Sequence, residues 1–257
     1  MVRKKKKLGQ HFLRDENIAM DIANLIIQQA KGKPVLEIGP GMGMLTQFLN
    51  KEIVNQLYLV ELDHRFIDAL KDKFPIIAHR IYNENVLKWD FNQIESTEFF
   101  IGGNFPYNIS SQIIFTMIAN RERCIGLAGM FQKELAERVC AKEGSKTYGV
   151  ISVLTQLYYK TEYQFNIPPE AFDPPPRVWS AIITLQRIER PDLPEYKIIA
   201  RIVKTAFLQR RKKIKNALSS LIDSIDGFPE EFLDLRAEQI SVEQYVDLAK
   251  KWKPSEL

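Results

Sequence analysis

The fold is decided by Val35-Leu36-Glu37-Ile38-Gly39-Pro40-Gly41-Met42-Gly43, a short apolar run that ends in three glycines at alternate positions. Residues 44–49 then resume helical spacing, which indicates a turn from a strand into a helix. Glycines at such a turn let the main chain approach a ligand and leave the helix N-terminus facing it. The dinucleotide-binding pattern G-x-G-x-x-G requires a small residue at position 44, and Met44 disfavours that interpretation.

Strands and helices alternate on either side of this turn. The predicted strands are 34–38, 57–62, 76–82, 99–102 and 126–131, and the predicted helices are 15–30, 65–74, 111–120, 133–141 and 149–159. This alternation predicts an α/β fold in which helices cover both faces of a parallel sheet.

The pattern changes after residue 163. Proline clusters, one more predicted strand at 181–186 and a proline-marked linker are followed by helical spacing alone. Ser241-Val242-Glu243-Gln244 is a capping box that opens the last predicted helix. The sequence therefore predicts a Rossmann-like domain at 1–190 and a small all-helical domain at 191–257.

The composition excludes several classes of protein. The chain has 257 residues, of which 45% are hydrophobic and 26% charged, which is typical of a packed protein and not of a disordered one. No apolar run approaches the roughly 18 residues that span a bilayer, and the basic start lacks the apolar segment of a secretory signal. The two cysteines cannot form a disulfide framework and the three histidines are scattered, so we expect no metal and no membrane partner. These features favour a cytoplasmic protein.

Two basic blocks carry much of the positive charge. Residues 1–14 hold six basic side chains and residues 201–222 hold seven, and neither block contains an acidic residue. The rest of the chain has 23 basic and 32 acidic residues, so the net charge of +4 conceals a localised distribution. Such blocks favour contact with a nucleic acid over a solvated tail and helix face. The candidate RNA-binding side chains are Lys4, Lys5, Lys6, Arg210, Arg211, Lys212 and Lys213.

A second motif, Asn104-Phe105-Pro106-Tyr107, directly follows the predicted strand at 99–102. It suits methyl transfer to an exocyclic aryl amine, whose nitrogen lone pair is delocalised into the ring. The Asn104 side-chain oxygen and the Pro106 carbonyl would hold the two N–H bonds, while Tyr107 offers a face for stacking. Because the leaving group is neutral, catalysis would depend on alignment and electrostatic preorganisation and not on a strong base. The motif specifies a planar NH2 group, of adenine or of a glutamine amide, without deciding between them.

The motifs together resemble a known family. The glycine loop with Glu37 two residues before it resembles that of the class I S-adenosylmethionine (SAM) methyltransferases. The tail segment TAFLQRRK at 205–212 is similar to the branch that dimethylates two adjacent adenosines near the 3′ end of small-subunit rRNA. Four motifs resemble the ribosomal RNA adenine N6-dimethyltransferase family: KLGQHFL at 7–13, EIGPGMG at 37–43, GNFPYNIS at 103–110 and FDPPPRVWS at 172–180.

The resemblance implies roles for the matching residues. At the cofactor it places His11, Leu13, Gly39, Gly41, Glu61, Asn85 and Asn104. At a target adenine flipped out of its helix it places Asn104, Pro106, Tyr107 and Phe172. Three positions depart from the family pattern, because His11 stands where Asn is usual, Asn85 where Asp is usual, and Phe105 where Leu is usual. Asn85 still accepts a hydrogen bond, so we expect weaker cofactor selectivity with binding retained.

The activity that the resemblance implies is that of a SAM-dependent 16S rRNA (adenine-N6,N6)-dimethyltransferase. It would dimethylate N6 of two adjacent adenosines in the 3′-terminal hairpin of small-subunit rRNA during ribosome biogenesis, as a cytoplasmic monomer. The large-subunit, antibiotic-resistance branch shares most of the motifs, but the segment 207–212 argues against it. A non-catalytic assembly factor that clamps rRNA would have lost the methyl-aligning residues, whereas Asn104, Pro106 and Tyr107 are all present.

Overall fold

A computed structural model of the protein describes residues 11–253. The contacts within the chain divide it into two compact units. The first unit extends to Ala136 and resumes at Tyr159–Arg187, and the second consists of Glu137–Tyr158 and the chain from Ile188 onward.

The segment Glu137–Tyr158 belongs to the second unit, although its sequence was expected to continue the Rossmann-like domain. Within that unit the Tyr148 ring packs against the Phe207 ring, with the two centroids 6.2 Å apart. Local periodicity predicts helices but not the core that each helix joins, which explains the difference. The functional domains at 1–190 and 191–257 stay a prediction.

The first unit is built on a seven-stranded sheet. The strands of the chain are β1 (Phe12–Leu13), β2 (Val35–Ile38), β3 (Leu57–Val60), β4 (Ile81–Tyr82), β5 (Phe99–Asn104), β6 (Cys124–Gln132), β7 (Tyr159–Ile167), β8 (Phe172–Asp173) and β9 (Ser180–Arg187). The order in the sheet is β4-β3-β2-β5-β6-β9-β7, in which the first five strands are parallel and β9 pairs antiparallel with both β6 and β7. The parallel part has the strand order of a Rossmann fold, as predicted. Strands β1 and β8 form a separate antiparallel pair.

Helices pack against this sheet because the central strands are buried along their whole length and are apolar except at Glu37. Every residue of β2 and β3 is buried, which is expected of strands covered on both faces. The first helix begins after Asp15, whose side chain accepts hydrogen bonds from two main-chain N–H groups of the first turn. The helices are α1 (Glu16–Ala30), α2 (Thr46–Ile53), α3 (Ile67–Lys73), α4 (Ser110–Ala119) and α5 (Lys133–Val139), the last leading into the second unit.

The short strands β1 and β8 were not predicted, and two further elements of this unit also differ from the prediction. Most of the predicted strand 76–82 is a 3-10 helix at Pro75–Arg80, and only β4 remains as strand. Strand β7 was not predicted because it is the sheet edge: its buried residues stand at its two ends and polar side chains lie between them. The other predicted strands and helices of this unit are confirmed, with shifts at their ends.

The second unit is helical, as predicted for the C-terminal part of the chain. Its capping box is confirmed, because the Ser241 side chain accepts a hydrogen bond from Gln244 N while the Gln244 side chain accepts one from Ser241 N. The Tyr245 ring is fully buried, and its hydroxyl donates to the Ala237 carbonyl at 2.9 Å. Its helices are α6 (Val150–Gln156), α7 (Tyr196–Leu208), α8 (Ile214–Ala217) and α9 (Val242–Lys250). Within residues 11–253, no helix has the length and apolar character needed to cross a bilayer.

Two facing glycines make room for a bulky residue beside the end of β5. Gly103 of β5 pairs with Gly129 of β6, and the Phe105 ring packs next to both. A β-carbon added to Gly129 would lie 2.4 Å from the Gly103 carbonyl oxygen and 2.4 Å from the Phe105 ring. Neither neighbour can move at low energetic cost, because the Gly103 carbonyl is main chain within the sheet and the Phe105 ring is fully buried.

We therefore expect Gly129→Ala to destabilise the protein by about 1–3 kcal/mol or more. The physical cause is overpacking, which moves Phe105 or separates β5 from β6. The matched control is Gly149→Ala, which adds the same methyl group at extended backbone, 4.0 Å from the Thr147 carbonyl oxygen. Urea unfolding of both variants measures the difference, and equal midpoints would contradict the packing argument.

Candidate functional site

The candidate site is a cavity of about 470 Å³ in the first unit, within the size range of small-ligand pockets. It opens where β2, β3 and β5 end, which is the edge of an α/β sheet at which ligands bind. The cavity brings together most of the residues that the sequence analysis singled out. Those lining it are His11, Leu13, Gly39, Gly41, Glu61, Asn104, Pro106 and Tyr107.

The glycine loop is held in place by a carboxylate from the next strand. Gly39 and Gly41 both have positive φ, of 69° and 56°, which side-chain-bearing residues rarely adopt. Glu61 follows β3, and its Oε2 accepts a hydrogen bond from Gly41 N at 3.0 Å while its Oε1 accepts one from Asp63 N at 2.8 Å. The loop and the end of β3 therefore form one rigid wall of the cavity.

Two acidic side chains are buried at this wall. Glu37 is 1% exposed and Glu61 is 7% exposed, and both line the cavity. Burial, with a smaller contribution from the charge of Glu61, raises the pKa of Glu37 from 4.5 to about 8. Burial also raises the pKa of Glu61, although main-chain N–H groups counteract that shift. The Glu37 Oε2 has no hydrogen-bond partner among the described residues. This oxygen is therefore free to accept a hydrogen bond from a cationic ligand.

The main-chain carbonyl of His11, the residue just before β1, orients the side-chain amide of Asn104. Asn104 Nδ2 donates to the His11 carbonyl at 3.2 Å. Within residues 11–253 no group donates to Asn104 Oδ1, and Asn104 lines the cavity. The acceptor that the sequence analysis required is therefore present.

The Pro106 carbonyl differs from the expectation that it would accept a substrate N–H. It already accepts hydrogen bonds from Ile109 N at 3.1 Å and from the Ser110 hydroxyl at 2.9 Å. These bonds close the turn into α4 and engage both lone pairs of the carbonyl oxygen. The carbonyl of the preceding residue, Phe105, is another acceptor in the motif, and no residue in the described part of the chain donates to it.

The Tyr107 ring is fixed from two sides. Its hydroxyl shares a 2.5 Å hydrogen bond with the Ser180 hydroxyl, at the start of β9. The His11 ring stacks on it, with centroids 5.4 Å apart and planes inclined by 27°. The His11 Nδ1 in turn donates to the Pro174 carbonyl at 2.8 Å. The N-terminal, tetrapeptide and proline motifs therefore converge on one aromatic face.

Two predicted site residues do not line the cavity. Phe172 is 3% exposed and lies in the apolar core, where its strand β8 pairs with β1 opposite Leu13. It supports the cavity wall and presents no ring face to a base. The Asn85 side-chain oxygen accepts a hydrogen bond from Leu87 N at 3.1 Å and caps a short 3-10 helix. The acceptor expected to face the cofactor is thus engaged within the protein.

Two residues with clear contacts at the site were not predicted for it. Ser180 fixes Tyr107, and its only signal in the sequence was its place at the end of the proline motif. Phe12 lies 3.0 Å from where a β-carbon on Gly41 would be, so it closes the cavity over the glycine loop. The part of the chain that the structure describes contains no group of three or more residues able to hold a metal ion.

The second basic block divides into paired and unpaired side chains. Arg210 donates to the Lys146 carbonyl and lies 3.5 Å from the Glu238 carboxylate. Lys213 and Lys215 both contact the Asp234 carboxylate at 3.0 Å. Arg211 and Lys212 are exposed and contact no acidic group of residues 11–253. The predicted RNA-binding residues Lys4, Lys5 and Lys6 lie outside the described residues.

Comparison with known proteins assigns the chain to a family. The family described as ribosomal RNA adenine dimethylase matches residues 1–253. A ribosomal RNA small subunit methyltransferase A of Flavobacterium johnsoniae is 46% identical, covering 97% of this chain and 96% of the relative. The protein of the same name from Parabacteroides distasonis is 45% identical, covering 96% of this chain and 93% of the relative.

Solved structures support the fold. A dimethyladenosine transferase from Plasmodium falciparum superimposes with a TM-score of 0.77 at 24% identity, over 93% of this chain and 96% of the other. The 23S rRNA methyltransferase ErmE gives a TM-score of 0.69 at 22% identity, over 94% and 99% of the two chains. At these identities the likeness concerns the fold alone, and the family match confirms the resemblance in sequence. The chain belongs to the ribosomal RNA adenine dimethylase family.

Proposed function

We propose that the protein uses SAM to dimethylate N6 of two adjacent adenosines in the 3′-terminal hairpin of 16S rRNA, as a cytoplasmic monomer acting on the assembling small subunit. The observation that carries this proposal is the amide of Asn104, which is held at Nδ2 by the His11 carbonyl and lines a cavity walled by a glycine loop and by Tyr107, with no donor to its Oδ1 within residues 11–253. Relatives with 41–46% identity over nearly the whole chain are named for the small subunit.

The cavity wall fits SAM, a ligand with an ammonium group, a sulfonium and a ribose. Glu37 holds an unpartnered, buried carboxyl oxygen at this wall, which suits a cationic group. Gly39 and Gly41 leave space for the amino-acid part of SAM. Glu61, just after β3, would accept hydrogen bonds from the ribose hydroxyls. When bound, SAM supplies an electrophilic methyl group on a sulfonium and leaves as a neutral thioether.

The tetrapeptide aligns the amine of the target adenine. Asn104 Oδ1 accepts one N–H of the exocyclic amine, and the Phe105 carbonyl takes the second role that the engaged Pro106 carbonyl cannot fill. Tyr107, held by Ser180, provides the stacking face for the flipped base. When these two acceptors hold the N–H bonds out of the plane of the ring, the nitrogen becomes pyramidal and its lone pair is available to attack the methyl group. The proton leaves to solvent after the methyl group has been transferred. The rate enhancement then comes from alignment and fixed dipoles.

RNA binding is assigned to the exposed, unpaired part of the second basic block. Arg211 and Lys212 contact phosphates, while Arg210 and Lys213 are held by acids of the second unit and shape the segment. Phosphate contacts position the substrate, and the cavity selects the base.

Two alternatives carry less support. The large-subunit branch shares the fold, as the similarity to ErmE shows, but that fold does not distinguish substrates. Sequence identity favours the small subunit, and macrolide susceptibility of cells that express the gene tests the difference. A non-catalytic assembly factor would not need the Asn104 amide to be oriented toward an open cavity.

We expect Asn104→Ala to lower kcat for methyl transfer by about 10²- to 10³-fold, because the main acceptor that aligns the amine is lost. Binding of SAM and of small subunits should remain close to that of the unchanged protein. The measurement is incorporation of labelled methyl groups from SAM into unmethylated small subunits, with nuclease digestion to identify N6,N6-dimethyladenosine. Asn55→Ala removes an exposed amide elsewhere and serves as the control. Unchanged methylation by Asn104→Ala would remove Asn104 from the mechanism.

The protonation of Glu37 gives a pH test without ligand. Its pKa in the folded protein, about 8, lies above the ordinary value of 4.5, so the folded state binds the extra proton between those values. The stability that this group contributes is therefore full below about pH 4.5 and is lost as the pH rises through about 8. Glu37→Gln should flatten the fall in the free energy of unfolding across this range, measured by urea titrations at several pH values. The exposed Glu52→Gln control should keep the original profile, and identical profiles for all three proteins would contradict a buried, protonated Glu37.

The basic segment predicts a separable loss of RNA binding. Arg211→Glu with Lys212→Glu should weaken small-subunit binding and reduce the slope of log K against log salt by about 2, because two phosphate contacts are lost. SAM binding and thermal stability should not change, since neither side chain is buried or paired. Lys197→Glu with Lys250→Glu makes the same change of charge at exposed lysines outside the segment. Equal losses in both double variants would show a general charge effect and contradict the assignment.

A further inference from the structure

We propose that Trp179 is a stacking platform for an rRNA nucleotide that flanks the target adenosine, an inference that rests on the proposed function. Trp179 is 49% exposed and the preceding Val178 is 44% exposed, whereas the other two tryptophans, Trp89 and Trp252, are buried. An exposed tryptophan gives up burial energy that its large ring would otherwise contribute to the core. A binding role accounts for that cost.

The loop that carries Trp179 is attached to the catalytic wall at both ends. At its start the Pro174 carbonyl accepts the hydrogen bond from His11 Nδ1, and at its end the Ser180 hydroxyl bonds to Tyr107. The Trp179 carbonyl accepts from Lys133 N at 2.9 Å, which fixes the main chain where β9 begins. Because adjacent Cα atoms are about 3.8 Å apart, the indole starts one residue from the side chain that holds Tyr107.

In this proposal the ring acts beside the mouth of the cavity and not inside it, because the next residue, Ser180, bonds to Tyr107 of the cavity wall. Trp179 does not line the cavity, so it is not part of the pocket for the flipped base. Flipping one adenosine removes it from the stack and leaves its neighbours with an uncovered face. A ring beside the mouth of the cavity can cover one of those faces. It can do so while either of the two adjacent adenosines is flipped out for methylation.

The charge beside Trp179 favours RNA as the occupant. Arg177 is exposed, and no acidic group in the described range 11–253 pairs with it. A guanidinium next to an exposed indole is the combination that binds single-stranded nucleic acid, the one contacting phosphate and the other stacking on a base. Arg177, Val178 and Trp179 thus extend the catalytic site toward the strand that carries the target.

Fluorescence tests the contact directly. Trp179 is the one exposed tryptophan among three, so stacking of a base should quench the exposed component of the emission. The probe is a synthetic, unmethylated RNA hairpin with the 3′-terminal small-subunit sequence, titrated into the full chain. Trp179→Phe should abolish the quenching signal. Quenching that persists in Trp179→Phe would overturn the proposal.

Kinetics separate the inference from the proposed function. Trp179→Ala should raise KM for the hairpin and for unmethylated small subunits by about 5- to 150-fold, the range for loss of one stacked base, with SAM affinity unchanged. Trp179→Tyr should restore most of the loss, and Ile76→Ala, at a residue 67% exposed in the same unit, should have no effect. A normal KM for Trp179→Ala overturns the inference while leaving the methyltransferase intact. A defect on whole subunits but not on the hairpin also overturns it, because the contact then lies outside the hairpin that carries the target. Absence of methylation by the unchanged protein contradicts the proposed function itself.

Discussion

The hydrogen bond from Asn104 Nδ2 to the His11 carbonyl determines what the cavity can do. An amide presents a donor and an acceptor, and only one orientation turns the acceptor toward a substrate N–H. Reversing the amide would bring two oxygens together at about the 3.2 Å that now separates nitrogen from oxygen. The carbonyl of His11 is itself positioned by the pairing of β1 with β8 and by the ion pair of Arg14 with Asp173. Two short segments, far apart in sequence, therefore serve to fix one side-chain rotamer.

Electrostatics in this protein depends on where the fold places acids that the sequence keeps apart. The second basic block contains no acidic residue, yet Asp234 and Glu238 lie against Lys213 and Arg210 in the folded unit. Such exposed pairs contribute little stability, but they hold long side chains in fixed positions. Within the segment 210–215, Arg211 and Lys212 are the exposed basic side chains that these acids do not contact. The same contrast holds at the cavity, where burial keeps Glu37 protonated near neutral pH until a cation approaches.

The local sequence pattern predicted the central strands, the glycine turn and the capping box, because each of these depends on residues that are neighbours in sequence. It did not predict β7, since an edge strand has one open side and needs no continuous apolar run. The roles expected of Phe172 and the Pro106 carbonyl could not be checked from the motif. A motif gives residue types, whereas burial and existing hydrogen bonds decide whether a ring or an oxygen is free to act. Ser180 lay within a motif but its partner, Tyr107, became visible only in the fold.

Two of the three departures from the family pattern, His11 and Phe105, follow one rule, which is that the side chain changes where a main-chain carbonyl carries the proposed role. His11 orients Asn104 through its carbonyl, so its ring is free to stack on Tyr107. The Phe105 carbonyl accepts no hydrogen bond within residues 11–253, and the larger ring is buried against Phe131 beside the facing glycines Gly103 and Gly129. Asn85 caps a turn with an oxygen that aspartate also has, but its second polar atom, Nδ2, is a donor where aspartate has an acceptor. Of the three substitutions, that at Asn85 is the one that replaces an acceptor atom with a donor, so differences in cofactor recognition should arise there before they arise at the other two.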